Sequence, residues 1–232
     1  MSPRRWVILP AAGAGRRMAS EVPKQYLRLG DRTVLEHSLS HFTSRADIAG
    51  IFVALAPHDP YWPELSFAGK SELWRVAGGA ERAHTVRNAL RELARVAAPE
   101  DWVLVHDAAR PCLHRDDLDR LIGDLELDPV GGILATPARD TCKRVGADGR
   151  IAETVDRQAL WLAQTPQMFR LRLLIDAIDA ALARGCVVTD ESSAMELAGH
   201  QPRIIEGRAD NLKITRPEDL PLAEFMLAHQ PT

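Results

Sequence analysis

Near the start of the chain, small and cationic residues are packed together as Pro10-Ala11-Ala12-Gly13-Ala14-Gly15-Arg16-Arg17-Met18. Alanine and glycine let a backbone approach a ligand closely, main-chain N–H groups can point at phosphate oxygens, and Arg16 or Arg17 can add bidentate charge. A polyphosphate cradle is one reading. A tight strand-to-loop turn with solvated arginines is the other, and Gly-x-Gly alone favours that turn. The dinucleotide fingerprint fails, because Met18 sits where a third small residue belongs and Pro23 interrupts the helix that should follow; no Gly-Lys-Ser/Thr completes a P-loop.

Other segments add candidate chemistry, each with a bland competitor. Lys24, in Pro23-Lys24-Gln25-Tyr26-Leu27, can reach the same phosphates or sit on the surface as most lysines do. Gly78-Gly79-Ala80-Glu81-Arg82 falls between a strand and a helix, where paired glycines admit a flat base or simply make a turn. His106-Asp107-Ala108-Ala109-Arg110-Pro111 ends a strand, where ligands bind in open α/β sheets. There Asp107 can hold a hard cation or substrate hydroxyls and Arg110 an anion, or the two can form a cap and a salt bridge. Asn211-Leu212-Lys213-Ile214-Thr215 reads as a strand with Lys213 on the face opposite Leu212 and Ile214, which suits a solvent-facing lysine equally well. His37 and His41 have helical spacing without the glutamate of a metalloprotease and are expected to be solvated. A hydrolase nucleophile elbow is absent, and the aromatic content of 5% lacks the basic-aromatic alternation that stacks single strands.

These residues need a scaffold, and short apolar runs alternating with helix-period segments describe an α/β sheet covered by helices. Trp6–Leu9, Ile51–Ala56, Trp74–Ala77, Trp102–His106 and Gly132–Thr136 read as strands. Thr33 and Glu36 make a capping box ahead of a helix lined by Leu35, Leu39 and Phe42. Val86, Ala89, Leu90, Leu93 and Val96 mark a second helix, and Leu171, Leu174, Ile175, Ile178 and Leu182 a third that stops at Gly185. Thr215 and Glu218 predict a further box opening a C-terminal helix. Between Ala138 and Asp156 the chain turns polar and basic, and Thr141–Val145 and Ile151–Val155 are joined by Gly146-Ala147-Asp148-Gly149. This is a hairpin arm, too small to be stable alone, and a second copy of the chain is the simplest surface to hold it.

The 232 residues suit a single domain, 1–232, with a sizeable core. Hydrophobic residues at 46% and charged residues at 26% exclude a disordered or fibrous chain. A net charge of −3 offers no general attraction to nucleic acid or to a membrane surface. No apolar run reaches the roughly 18 residues of a membrane span. Three scattered cysteines, Cys112, Cys142 and Cys186, suit a reducing compartment, and no transit peptide precedes the first strand. A cytoplasmic protein of bacterial type is therefore expected.

Taken together, the motifs resemble the 2-C-methyl-D-erythritol 4-phosphate cytidylyltransferase family over nearly the whole chain. Pro10-Ala11-Ala12-Gly13-x-Gly15-x-Arg17-Met18, Pro23-Lys24-Gln25-Tyr26, His106 to Pro111 and Asp140-Thr141-x-Lys143 carry the resemblance. Thr154-Val155-Asp156-Arg157, Thr165-Pro166-Gln167, Thr189-Asp190-Glu191 and Lys213-x-Thr215 complete it in the family's order. The resemblance implies a Rossmann-like nucleotidyltransferase three-layer sandwich whose protruding β-hairpin arm, about 138–156, exchanges across a homodimer. It implies that methylerythritol phosphate attacks CTP, with Mg²⁺ as cofactor, in non-mevalonate isoprenoid precursor synthesis.

By the same resemblance Arg17, Lys24, Arg157 and Lys213 are the catalytic residues. Pro10, Ala11, Ala12, Gly13, Gly15, Gly79, Ala80, Thr85, Asp107 and Ala108 would bind the nucleotide. Arg110, Thr141, Arg157, Thr165 and Thr189 would surround the second substrate, with Thr141 and Arg157 coming from the partner's arm. Mg²⁺ would ride mainly on the triphosphate, with Asp107 a possible ligand. Ala80 stands where some members carry an acidic residue and Thr85 where they carry serine, so selection of cytosine over uracil would rest on backbone groups. The neighbouring possibilities are a ribitol 5-phosphate cytidylyltransferase, whose opening loop looks more like Ala-Gly-Gly, and a catalytically silent nucleotide-binding protein of the same fold.

Overall fold

The structure, a computed structural model, describes residues 3–13, 18, 22–62 and 72–230. In chain order come β1 (Arg5–Pro10), a 3-10 turn (Lys24–Tyr26), the short β2 (Arg28–Leu29) and β3 (Arg32–Thr33), α1 (Val34–Thr43), β4 (Gly50–Leu55) and β5 (Glu72–Ala77). There follow α2 (Arg82–Leu93), β6 (Trp102–Val105), α3 (Arg115–Leu125), β7 (Gly131–Pro137), β8 (Cys142–Val145) and β9 (Ile151–Val155). The chain closes with β10 (Trp161–Arg170), α4 (Leu171–Ala183), α5 (Glu191–Leu197), β11 (Arg203–Glu206) and α6 (Asp219–Ala228).

Among the described residues the main sheet has seven strands in the order β11-β7-β10-β6-β1-β4-β5. β10 runs antiparallel to both its neighbours, and the other pairings are parallel. β1 lies near the middle because Trp6-Val7-Ile8-Leu9 is apolar on both faces and must be covered twice. Trp6 and Ile8 enter one core layer with Val86, Leu90 and Leu93 of α2 and Leu174 and Ile178 of α4. Val7 and Leu9 enter the other with Leu35, Leu39 and Phe42 of α1 and Leu118, Leu121 and Leu125 of α3. Fully burying such a side chain contributes roughly 1.5–3 kcal/mol, so this double-sided packing makes β1 the rigid base of the loop that follows it. The three-layer sandwich is therefore present, and no described helix is long and apolar enough to cross a membrane.

The expected hairpin forms: β8 and β9 pair antiparallel in a two-stranded sheet of their own, closed by a turn with Gly149 at φ +77°. Its residues are largely exposed, including Val145 and Ile151.

Several local readings are corrected. No strand forms at 211–215, where the segment has no regular structure and is tied to the neighbouring loop by Ile214 N–H donating to Ala109 O at 2.8 Å. The Thr215–Glu218 box does not form. Asp219 instead accepts from Thr215 N, Thr215 Oγ1 and Arg216 N at 2.7, 2.9 and 2.8 Å, because its position lets one carboxylate collect three donors. Val96 lies beyond the end of α2 and is half exposed. β10, β11, α3 and α5 escape the periodicity reading; in β10, Pro166 sits at a register shift between Ala163 and Gln167, and so reads as a turn.

The histidines of α1 are not simply solvated. His37 Nε2 lies 2.8 Å from Leu29 O and His41 Nε2 2.8 Å from Pro111 O. Burial pushes His41 down to about 4, and fully buried His106 down to about 3, with each ring near the other. Both rings are neutral in the fold, whereas the unfolded chain takes up protons below about pH 6.5. Stability is thus complete above that pH and falls as the pH drops towards the folded values. Between pH 7 and 5.5 the loss should be roughly 2–3 kcal/mol, at about 1.4 kcal/mol per pH unit for each ring. Urea denaturation at the two pH values checks this, and equal midpoints would show that the rings accept protons without unfolding.

Candidate active site

A cavity of about 610 Å³ opens at the carboxyl ends of β1, β5 and β6, beside the point where successive crossovers leave β1 in opposite directions. Pro10 to Gly13 form one wall, Gly79 to Arg82 with Thr85 the opposite one, and Asp107 to Ala109 the floor; Lys24, Gln25, Lys213 and Thr215 close it.

The loop after β1 keeps its shape through two tethers. Ala11 N–H donates to Ala54 O at 2.8 Å, and Gln25 Nε2 donates to Ala11 O at 2.7 Å and to Gly13 O at 3.2 Å. Gln25 is almost wholly buried, so its amide acts as a strap, and the adjoining 3-10 turn carries Lys24 to the cavity edge. Lys24 Nζ donates to Ile214 O at 2.7 Å. Gly15, Arg16 and Arg17 lie outside the described residues.

Across the cavity the paired glycines are a steric requirement. A Cβ at Gly78 would lie 2.3 Å from Ala12 Cβ, and one at Gly79 2.5 Å from His84 Cβ. Gly79 N–H donates to Thr85 Oγ1 at 3.0 Å, so the Thr85 hydroxyl sets the loop that opens α2. Ala80 lines the wall with a methyl group only.

The floor is held by a relay of buried polar groups. Asp107 N–H donates to Thr165 Oγ1 at 3.0 Å, and that oxygen lies 3.0 Å from His106 Nδ1. His106 Nε2, 3.0 Å from Arg110 O, must carry the ring proton, since a carbonyl can only accept; Nδ1 then accepts from the Thr165 hydroxyl. The Asp107 carboxylate is in turn surrounded by cations. Arg82 Nε lies 3.0 Å from Oδ1, Lys213 Nζ 2.7 Å from Oδ2, and Arg110 Nε 3.8 Å from Oδ2. Burial alone would raise the Asp107 carboxyl, but Arg82, Lys213 and Arg110 outweigh it and hold it well below the usual range. Asp107 therefore stays ionised.

Not every expected residue faces the cavity. Arg110 is buried behind it, with Nη1 donating to Asn211 O at 2.6 Å and Nη2 to Ala163 O at 3.4 Å; it braces the segment that carries Lys213. Thr165 is buried in the relay rather than on the wall. Thr141 and Arg157 are exposed at either end of the β8–β9 hairpin, Arg157 donating to Arg139 O, and Thr189 is exposed outside the cavity.

Arg82 and Glu191 were missed as site residues. Arg82 opens α2, where a helix dipole disfavours a cation, and that misfit was the available signal. Its partners explain it: Nη1 and Nη2 take both oxygens of buried Glu191 at 2.7 and 3.0 Å. Among the described residues no group of three or more His, Cys, Asp or Glu side chains gathers around a metal position. Asp107, a single hard carboxylate beside a polyanion-sized cavity, fits an ion such as Mg²⁺ that takes most of its ligands from substrate phosphates and water.

A parallel-sheet crevice with a small-residue loop, a glycine pair beneath a helix N-terminus, Lys24 at the edge and Lys213 with Arg82 on one carboxylate suits a nucleotide and a second anion together. Fold and site thus define a nucleotidyltransferase. The family model for 2-C-methyl-D-erythritol 4-phosphate cytidylyltransferase (IspD) matches residues 6–229, and the chain belongs to this family. The Pseudomonas fluorescens Pf-5 protein of that name is 60% identical over 219 residues, covering 94% of this chain and 93% of the relative. The Pseudomonas aeruginosa protein is 57% identical over 94% of each chain. Among solved structures, a 4-diphosphocytidyl-2C-methyl-D-erythritol synthase superposes with a TM-score of 0.84 at 39% identity, covering 98% of this chain and all of the other. The Francisella tularensis cytidylyltransferase does so with 0.83 at 36%, covering 96% and 99%.

Proposed function

We infer that the chain joins CTP to 2-C-methyl-D-erythritol 4-phosphate, giving 4-diphosphocytidyl-2-C-methyl-D-erythritol and pyrophosphate for isoprenoid precursor synthesis. A phosphate oxygen of the alcohol phosphate forms a bond to the α-phosphorus of CTP as the bond from that phosphorus to the bridging β-oxygen breaks, and pyrophosphate leaves with the electron pair. The observation that carries this reading is the convergence of Lys24, Arg82 and Lys213 on one cleft around the ionised Asp107.

Two polyanions must approach within bonding distance, so catalysis consists mainly of positioning and charge compensation. Pro10, Ala11, Ala12, Gly79, Ala80 and Thr85 receive the cytidine end, and Gly13 faces the triphosphate, for which the family resemblance also assigns Gly15 and Arg17, outside the described residues. Lys24 stabilises charge on the transferring and leaving oxygens, Lys213 orients the attacking phosphate, and Asp107 with Ala108 serves the ribose side and the substrate hydroxyls. No general base is needed, because a phosphate monoester with a second pKa near ~6 is already ionised at neutral pH. Asp107 is the side chain that would stand beside a Mg²⁺ brought in on the triphosphate, and the ion would supply further charge neutralisation there.

The exposed arm supports a homodimer in which Thr141 and Arg157 reach the partner's cleft. Arg157→Ala and Lys24→Ala chains should then complement one another. Co-expressed, half of the dimers are mixed and each mixed dimer has one intact site, so about a quarter of wild-type activity returns. Activity no higher than that of either variant alone would place Arg157 in its own subunit's site or in none. The direct test of function is pyrophosphate release from CTP with methylerythritol phosphate and with ribitol 5-phosphate, with Mg²⁺ present or chelated. Release only with the first polyol phosphate, and only with the metal, is expected; preference for ribitol 5-phosphate would overturn the substrate assignment.

A further inference from the structure

Thr189-Asp190-Glu191 enters the structure in an unexpected way. The Thr189 hydroxyl faces solvent beside Asp190, whereas Glu191, the first residue of α5, turns inward and its side chain is 2% exposed. The helix start that carries it is pinned from two sides. Asp190 accepts from Ser193 N at 3.0 Å and from Gln167 Nε2 at 2.9 Å, and Gln167 Oε1 accepts from Ser192 N at 2.9 Å. Gln167 belongs to β10, so the sheet itself sets where the Glu191 carboxylate stands.

That carboxylate does not line the cleft, yet it ends a chain of contacts that does. Glu191 holds both Nη atoms of Arg82 at 2.7 and 3.0 Å, leaving Nε to reach Asp107 Oδ1 at 3.0 Å, while Asp107 Oδ2 holds Lys213 Nζ at 2.7 Å. An arginine freed from Glu191 would present a two-pronged edge to Asp107, a geometry that carboxylates prefer, and would displace Lys213 from Oδ2. Burial raises the Glu191 carboxyl, opposed by Arg82, which fits a group placed there for its partner rather than for solvent.

We propose that Glu191 is a positioning residue for cytidylyl transfer: it holds Arg82 side-on to Asp107, so that Asp107 can set Lys213 at the cleft. The proposal rests on the functional reading above. Its signature is a split between turnover and nucleotide affinity. Glu191→Gln keeps the shape but removes one negative charge, so the cleft gains positive charge and CTP should bind as well as before or up to several-fold more tightly. Turnover, dependent on where Lys213 stands, should fall about 10–100-fold.

The experiment measures kcat with both substrates and the Kd of CTP alone by calorimetry, on wild type, Glu191→Gln and Glu191→Asp. Reduced turnover with unweakened CTP binding is expected, with Glu191→Asp intermediate because it keeps the charge but withdraws it by one methylene. If Glu191→Gln does not fold, Glu191→Asp carries the same test at smaller amplitude. Parallel losses of turnover and CTP affinity would mean general disruption, and turnover within twofold of wild type would mean no role; either overturns the proposal. A wild-type protein without activity towards CTP and methylerythritol phosphate would overturn the functional reading together with it, whereas an active wild type confines any failure to Glu191.

Discussion

Lys24→Ala should lower turnover by about 10²–10³ and leave CTP affinity within a few-fold of wild type, by analogy with removing a transition-state donor. The lysine stands at the cavity edge beside the loop whose carbonyls Gln25 straps, and its ammonium bonds the backbone of the segment that carries Lys213. In the ground state the triphosphate has other partners, so losing one cation costs little binding. In the transition state charge moves onto oxygens that the lysine can follow, because an ammonium on a flexible stem is a movable point charge. A side effect of order 1 kcal/mol on stability is expected from losing the bond to Ile214 O. Steady-state kinetics with calorimetry of CTP binding separates the two effects, and turnover within a factor of a few of wild type would remove Lys24 from the mechanism.

Asp107→Asn should be costly on two counts. The residue is 7% exposed and its carboxylate compensates Arg82, Lys213 and Arg110, so an amide leaves Lys213 and Arg110 without a carboxylate and Arg82 with Glu191 alone. Removing one partner from a buried ion pair costs roughly 3–5 kcal/mol, which for a domain of this size lowers the melting temperature by on the order of 10 °C. Turnover should fall about 10²-fold or more even where the variant remains folded, because Lys213 loses its anchor. The pH dependence has a definite sign. The folded carboxyl is held below its unfolded value near ~3.9, so its stabilisation is present above about pH 4 and is lost only as the pH falls further, towards the folded value. An acid limb in turnover above pH 5 therefore does not belong to Asp107. Thermal melts and pH–rate profiles of wild type and variant check this; an unchanged melting temperature would show that the cations find water instead.

Much of this molecule is local, and the local part can be read directly. The apolar run Trp6 to Leu9, the Thr33–Glu36 box, the stripe along α4 ending at Gly185 and the polar hairpin 141–155 all appear as expected, since each depends on neighbours within a few residues. Residues that the motifs single out also come together, for Ala11, Ala12, Gly13, Lys24, Gly79, Thr85, Asp107 and Lys213 line one cavity. Where propensity pointed the wrong way, distant contacts prevailed, as in β10, whose proline and glutamines look like a turn until β6 and β7 pair on either side.

The amino-acid order thus determined the sheet's central strands, the β8–β9 hairpin and most of the residues that meet the cleft, because periodicity and turn chemistry act over short separations. Only the tertiary structure decided how the charges are shared. Arg82 meets Glu191 across 109 positions, and Arg110 spends its guanidinium on Asn211 across 101 instead of on the cleft. No spacing rule encodes such pairings, since a buried charge takes whichever opposite charge or carbonyl the finished packing brings within hydrogen-bond reach.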